Sequence, residues 1–178
     1  SGLGTLTLTY NNCLISGETT NGSVTVVVKG FDLSLLKITN ADIQFTNLTV
    51  TGSGLNLAMA GSIQLLQDFT NNTETLTLDV ITQDRITNTQ AKTENFIITS
   101  VYNSLVNPYS ATVTYQGRLY DSRYGYVDIV TSSPLVYSRI SQTPPDSGGP
   151  IVITGANGAS IRIAFTSYKK ISLSLALY

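Results

Sequence analysis

The sequence predicts an all-β protein: an antiparallel β-sandwich or jelly-roll-like fold of roughly ten to thirteen strands, with no substantial helix. Three observations predict it. Apolar and polar residues alternate with a period of two along most of the chain, which places each set on one face of a strand. Thr, Val, Ile and Tyr are abundant, as a pleated, half-buried surface selects. Turn signals rich in Gly, Pro and Asn interrupt the alternation repeatedly. A chain of 178 residues suits a single β domain, 1–178, large enough for a real core.

Taken in order, the first strand alternates Thr5, Thr7 and Thr9 with Leu6, Leu8 and Tyr10. Val24, Val26 and Val28 carry the next, and Asn21-Gly22 before them reads as a two-residue hairpin turn. Phe31 to Ile38 fits either one helical turn or continued alternation. Leu48 and Val50 share a face, as do Leu55, Leu57 and Met59; after Gly61 come Ile63 and Leu65, with Phe69 out of phase. The polar turn Asn71-Asn72-Thr73 precedes Leu76, Leu78 and Val80, and the polar stretch from Asp84 to Glu94 reads as a long turn. Phe96, Ile98, Val113, Tyr115, Val127 and Ile129 continue the strand pattern. Gln142 to Pro150 is the clearest loop, because proline cannot donate to a ladder. Asn157-Gly158 marks a second two-residue hairpin. Ile171, Leu173, Leu175 and Leu177 form a last strand, which reads as an integral core strand behind Lys169-Lys170.

Composition excludes several function classes. Charged residues make up 12% of the chain, against roughly 25% in an average soluble domain, and the net charge is −1 with a pI near 5.2. No basic footprint for nucleic acid exists. No apolar run approaches the roughly 20 residues a membrane-spanning helix needs. The chain opens on Ser1-Gly2 rather than on a charged-then-apolar leader, as expected of a processed or trimmed form. A polar, nearly uncharged surface carries little repulsion between copies and so points toward self-association. Cys13 is alone, so no internal disulfide can form; a buried inert thiol is the leading reading and an intermolecular disulfide the sharper alternative.

Asp146-Ser147-Gly148-Gly149-Pro150-Ile151-Val152 resembles the nucleophile segment of trypsin-like serine proteases. Their serine needs a histidine base, and this chain has no histidine. No lysine stands in a recognisable arrangement to replace it, so the run reads as turn chemistry. No catalytic residue, cofactor or metal site is therefore expected. Zero His and one Cys remove nearly all zinc, copper and iron sites. Calcium needs only oxygens, but Asp121 with Asp128, and Asp79 with Asp84, make no Asp-x-Asp-x-Asp ladder and read as solvated carboxylates.

Tyr115, Tyr120, Tyr124 and Tyr126 cluster beside Arg118 and Arg123. Three readings stay open: a hairpin with cross-strand Tyr pairs, which ranks first, a protein interface, and a glycan-stacking surface. Asn21, Asn47 and Asn71 each open an N-x-Ser/Thr acceptor pattern for N-glycosylation, and Asn21 and Asn71 fall in expected turns.

The segments Tyr10–Cys13, Asn21–Val26, Tyr124–Ile129 with Ser133–Leu135, and Ser147–Gly158 resemble a β-rich domain of surface lipoproteins and exported proteins of Gram-negative bacteria. That resemblance runs through most of the chain and implies an exported, extracellular or cell-surface β domain without enzymatic activity. A lipid-attachment cysteine at the start, part of that pattern, is lacking here. The expected function is a structural subunit of a filament, pilus or biofilm fibre. It would polymerise head-to-tail with itself by donating residues 1–10, with Leu6, Leu8 and Tyr10 as the joint. Residues 3–10 would span about 26 Å, and burying those three side chains would contribute on the order of 5–8 kcal/mol before entropy costs. The alternative is a monomeric cell-surface module that closes its own sheet and binds glycan or protein.

Overall fold

Long strands with few charges, joined by tight polar turns, favour pairing each strand with the next, and the computed structural model follows that rule. It describes residues 3–141, 144–167 and 170–176. Twelve strands form one antiparallel sheet: β1 (Gly4–Ile15), β2 (Glu18–Asp32), β3 (Lys37–Gly52), β4 (Leu55–Asp68), β5 (Thr73–Asp84), β6 (Thr89–Tyr102), β7 (Ala111–Asp121), β8 (Gly125–Thr131), β9 (Leu135–Tyr137), β10 (Gly148–Gly155), β11 (Ser160–Ser167) and β12 (Lys170–Ala176). Their order is β1-β2-β3-β4-β5-β6-β7-β8-β10-β11-β12, with the short β9 laid against β7. The all-β antiparallel class and the strand number agree with the sequence, and no helix occurs among the described residues.

Register sorts the side chains into two faces. Leu6, Val26, Ile43, Ile63, Leu78 and Phe96 stand opposite one another in turn. Past Gly117 the same face continues through Ile129, Ile153, Ile161 and Leu175. The opposite face carries Thr7, Thr25, Gln44, Ser62 and Asp79 in register. An apolar face and a polar face are what period-two alternation builds when every strand keeps its register.

A row of bulges crosses the sheet. Register slips between Tyr10 and Cys13, Asn21 and Ser23, Phe45 and Leu48, Leu78 and Ile81, and Glu94 and Ile97. Asn12, Asn47 and Asn95 hold φ of 51°, 48° and 44° there, a left-handed conformation that Asn tolerates better than most side chains. Opposite two of the bulges lie Gly61 (φ 114°) and Gly117 (φ 143°), where a Cβ would collide with the backbone of Asp79 and of Asn95–Phe96. Side chains replace the ladder bonds the bulges remove. Asn12 N–H donates to Asn21 Oδ1 (2.8 Å), Asn95 N–H to Asp79 Oδ1 (2.7 Å), and Val80 N–H to Thr93 Oγ1 (2.9 Å). Bulges bend and twist their strands, so this row curls the sheet around its apolar face.

Asn21-Gly22 is not the first hairpin turn. The turn is Ser16-Gly17 (φ 53° and 87°), and Asn21-Gly22 lies inside β2, where the bulged backbone of Asn47 presses against Gly22. Asn157-Gly158 does make a hairpin, but with a three-residue loop. Gly158 N–H donates to the Gly155 carbonyl (3.0 Å), Gly155 N–H to the Ala159 carbonyl (2.9 Å), and only Gly158 of the pair has positive φ. The polar 84–94 stretch is a short turn followed by strand, its polar residues belonging to the start of β6. Asp32, Asp68, Asp84 and Asp121 each open a turn by accepting the N–H two residues on, at 2.8–2.9 Å.

Few residues are fully enclosed. Ala41, Ala111, Leu135 and Pro145 are the buried apolar residues among those described. The chain exposes 10685 Å², whereas a folded monomer of its mass exposes about 8,400 Å². A single curved sheet with two open edges accounts for the excess.

Candidate functional site: two free edges and an apolar groove

The first edge is β1. It pairs with β2 alone, Leu6 opposite Val26, Leu8 opposite Val24 and Tyr10 opposite Gly22. Leu6 and Leu8 remain 58% and 46% exposed on the apolar face. The break at Asn11–Asn12 divides the strand into a regular run, Gly4–Tyr10, and a short anchor, Cys13–Ile15. Residues 1 and 2 of the expected donor segment lie outside the described residues. Cys13 is half-buried and free, rather than enclosed in a core.

The second edge is β12, paired only with β11. The sequence makes it an integral core strand; in the fold it is the last strand, with Ile171, Leu173 and Leu175 exposed by 55%, 69% and 62%. Alternating Ile and Leu look the same on a central and an edge strand, because the number of neighbours is set by topology. Lys169 and Leu177 lie outside the described residues. Apart from Lys170, neither Gly4–Tyr10 nor β12 carries a charge or a proline, the usual protections of an edge.

Between the edges, the curled apolar face encloses an open groove of about 550 Å³. Phe45, Met59, Ile63 and Leu78 line one side and Leu119 and Val127 the other, with Tyr124 at the β7–β8 turn. No local sequence signal marks this groove, since its walls run from Phe45 on β3 to Val127 on β8.

The four tyrosines do not share one surface. Tyr115 is on the apolar side, its ring 6.4 Å from Phe96. Tyr120 and Tyr126 stand opposite each other across β7 and β8. Arg118 lies 3.9 Å over the Tyr126 ring and pairs with Asp128 through two hydrogen bonds of 2.8 and 3.0 Å. Tyr124, 82% exposed, sits in the turn with Arg123 5.0 Å over its ring.

The remaining candidates disperse. Asn21 is inside β2 with its carbonyl oxygen engaged, Asn47 sits in the β3 bulge, and Asn71 lies in the β4–β5 turn, donating to Asp68 Oδ2 at 2.7 Å. Asp84 and Asp121 close turns, Asp79 closes a bulge, and Asp128 holds Arg118. These hydrogen bonds hold the carboxyls of Asp32, Asp68, Asp84, Asp121 and Asp128 below the ordinary aspartate range. Ser147 is a strand-entry residue whose carbonyl accepts the Val136 N–H at 2.8 Å. Among the described residues no three His, Cys, Asp or Glu side chains group as metal ligands, and no helix is long and apolar enough to cross a membrane. No family model, curated protein or solved structure matches the chain.

Proposed function

We propose that this chain is a structural subunit of an extracellular filament, of pilus or biofilm-fibre type, that polymerises head-to-tail by donor-strand exchange through β1. The observation that supports this most is the register break at Asn11–Asn12. It separates a regular, uncharged run carrying Leu6, Leu8 and Tyr10 from the anchor that continues into β2. Turning about that break, Gly4–Tyr10 of one copy takes the place of the same run on the next, against Gly22–Val28. Every ladder bond lost at home is remade in the neighbour, so exchange costs little and concentration favours the polymer. The contact is heterologous and does not close, which generates a filament. The reading is non-enzymatic; its cell-surface setting rests on the resemblance to exported β domains, and the low charge supports self-association.

Deleting residues 1–10 and following the protein by size exclusion and electron microscopy tests the joint; filaments that persist overturn it. Leu6→Cys with Val26→Cys, in a Cys13→Ser background, tests it without deleting a strand. A ladder of disulfide-linked multimers is expected, and exclusively internal disulfides overturn the exchange.

The groove favours a second reading, a monomeric surface module. Its apolar walls suit hydrophobic side chains of a partner protein better than a hydroxyl-rich glycan. A concentration-independent monomer of the intact chain would select this reading over the filament.

A further inference from the structure

The sheet path holds eleven strands, all antiparallel to their neighbours, so β1 and β12 run in the same direction. Joining β12 of one copy to the β1 edge of another, with both apolar faces on the same side, would therefore make a parallel pair; an antiparallel pair there would set the apolar face of one copy beside the polar face of the other. Joining β12 to a second β12 across a two-fold axis makes an antiparallel pair, the more favourable ladder and a self-complementary contact. We infer that the free edge of β12 is a second self-association surface, whose partner is β12 of another copy of this chain.

Of the possible two-fold registers, the one centred on Leu173 pairs all seven residues of the strand. Centred on Leu173, a two-fold pairing sets Leu173 opposite Leu173, Ile171 opposite Leu175, Ser172 opposite Ser174 and Lys170 opposite Ala176. A two-fold axis perpendicular to the sheet keeps both apolar faces on the same side, so the three most outlying apolar side chains gain cross-strand partners of their own kind. The only charge on the strand falls opposite alanine, so no like charges meet. The seven residues of β12 carry no bulge, no proline and no charge within the run Ile171–Ala176 that would reject a partner. Sheet continuation also lengthens the apolar face past the edge at which it is most exposed. This contact is distinct from strand exchange at β1: it is closed, and it would pair two subunits, or two filaments, back to back.

The full chain with Cys13→Ser and Leu173→Cys tests it under mild oxidation. The expected product is a dimer linked through position 173, seen on non-reducing gels. Ile171→Cys alone should not cross-link, because its copies lie four residues apart along the ladder, while Ile171→Cys mixed with Leu175→Cys should give the mixed dimer. Equal cross-linking at 171 and 173, no cross-linking at 173, or preferential cross-linking of Leu173→Cys to Leu6→Cys would each overturn the two-fold pairing. Leu173→Lys supplies a readout without engineered cysteines: in the full chain, at concentrations below filament formation, it should halve the sedimenting mass from dimer to monomer. Filaments that form normally while position 173 stays unlinked would overturn this inference and leave exchange at β1 standing. A 173-linked dimer without filaments would do the reverse.

Discussion

Strands β1 to β7 and strands β8 to β12 share one sheet and one apolar face, but they bury it to different depths. The first seven are 11 to 16 residues long and are crossed by the row of bulges. The last five are 3 to 8 residues long, and their main irregularities come near the β10 start and the β11–β12 turn. A straight 14-residue strand would extend about 46 Å, more than a small domain can cover, so a long strand has to bend back over its own face. A seven-residue strand has no second half to fold over. Accordingly Ile43, Ile63 and Leu78 are half-buried, whereas Ile161, Leu173 and Leu175 are 42%, 69% and 62% exposed. Edge position acts beside length: Leu6 on the long edge strand β1 is 58% exposed, whereas Ile129 and Ile153 on short inner strands are half-buried. Strand length, bulges and strand order together decide which apolar residues remain available to a partner.

Removing the bend is the strongest way to break this contrast. Gly61→Ala or Gly117→Ala adds a methyl where the neighbouring backbone already sits, at a φ that L-residues resist. Strain and overpacking together should cost about 3–5 kcal/mol, read as a lowered denaturant midpoint. Gly158→Ala is the control: φ is 86° but the space around it is open, so about 1–2 kcal/mol is expected. Equal losses at all three would mean that conformational strain alone, rather than the close strand crossing, fixes the glycines.

Truncating matched apolar residues comes next. Ile63→Ala, on a bent strand beside the groove, should lose about 2 kcal/mol, while Leu173→Ala on the edge should lose under about 0.5 kcal/mol of subunit stability. The same Leu173 change should weaken self-association, which separates its role from that of Ile63.

The side chains that mend the bulges carry smaller terms. Thr93→Val keeps the shape but leaves the Val80 N–H without its acceptor, and about 1 kcal/mol should be lost. Hydrogen exchange at Val80 should quicken locally.

Those menders also mark how far the sequence could be read. Alternation gave the strands, and the Asp-led polar turns at Asp68 and Asp84 fall where local chemistry puts them. Gly61 reads as a break between two runs, yet it lies inside β4, and nothing local says that the Asp79 backbone crosses there. Asn21-Gly22 illustrates the limit. The dipeptide suits a hairpin turn and a bulge-facing position equally, and the choice is made by Asn47, twenty-six residues away. The edge status of β12 and the walls of the groove are likewise products of strand order, for which local sequence carries no signal. The tyrosines form a group only along the chain; the pleat divides them, Tyr115 on the apolar face and Tyr120 and Tyr126 on the other.

The smallest effect tests the joint between the two halves of the sheet. The three-residue β9 holds to β7 through Leu135, which is 2% exposed, and the Tyr137 phenol lies near that of Tyr115 on β7. Burial, then the nearby Tyr115, pushes the Tyr137 phenol up to about 12 from its ordinary 10.0. The folded state thus holds this proton more tightly than the unfolded chain does. Its contribution to stability is complete below pH 10 and is lost as the pH rises through about 12. Spectrophotometric titration should show one phenol ionising late, and Tyr137→Phe should remove that step and flatten the stability profile between those two pH values. If the late step survives in Tyr137→Phe, it belongs to another tyrosine. Tyr102 is the first candidate, because burial, followed by the charge of Glu74, also raises its phenol.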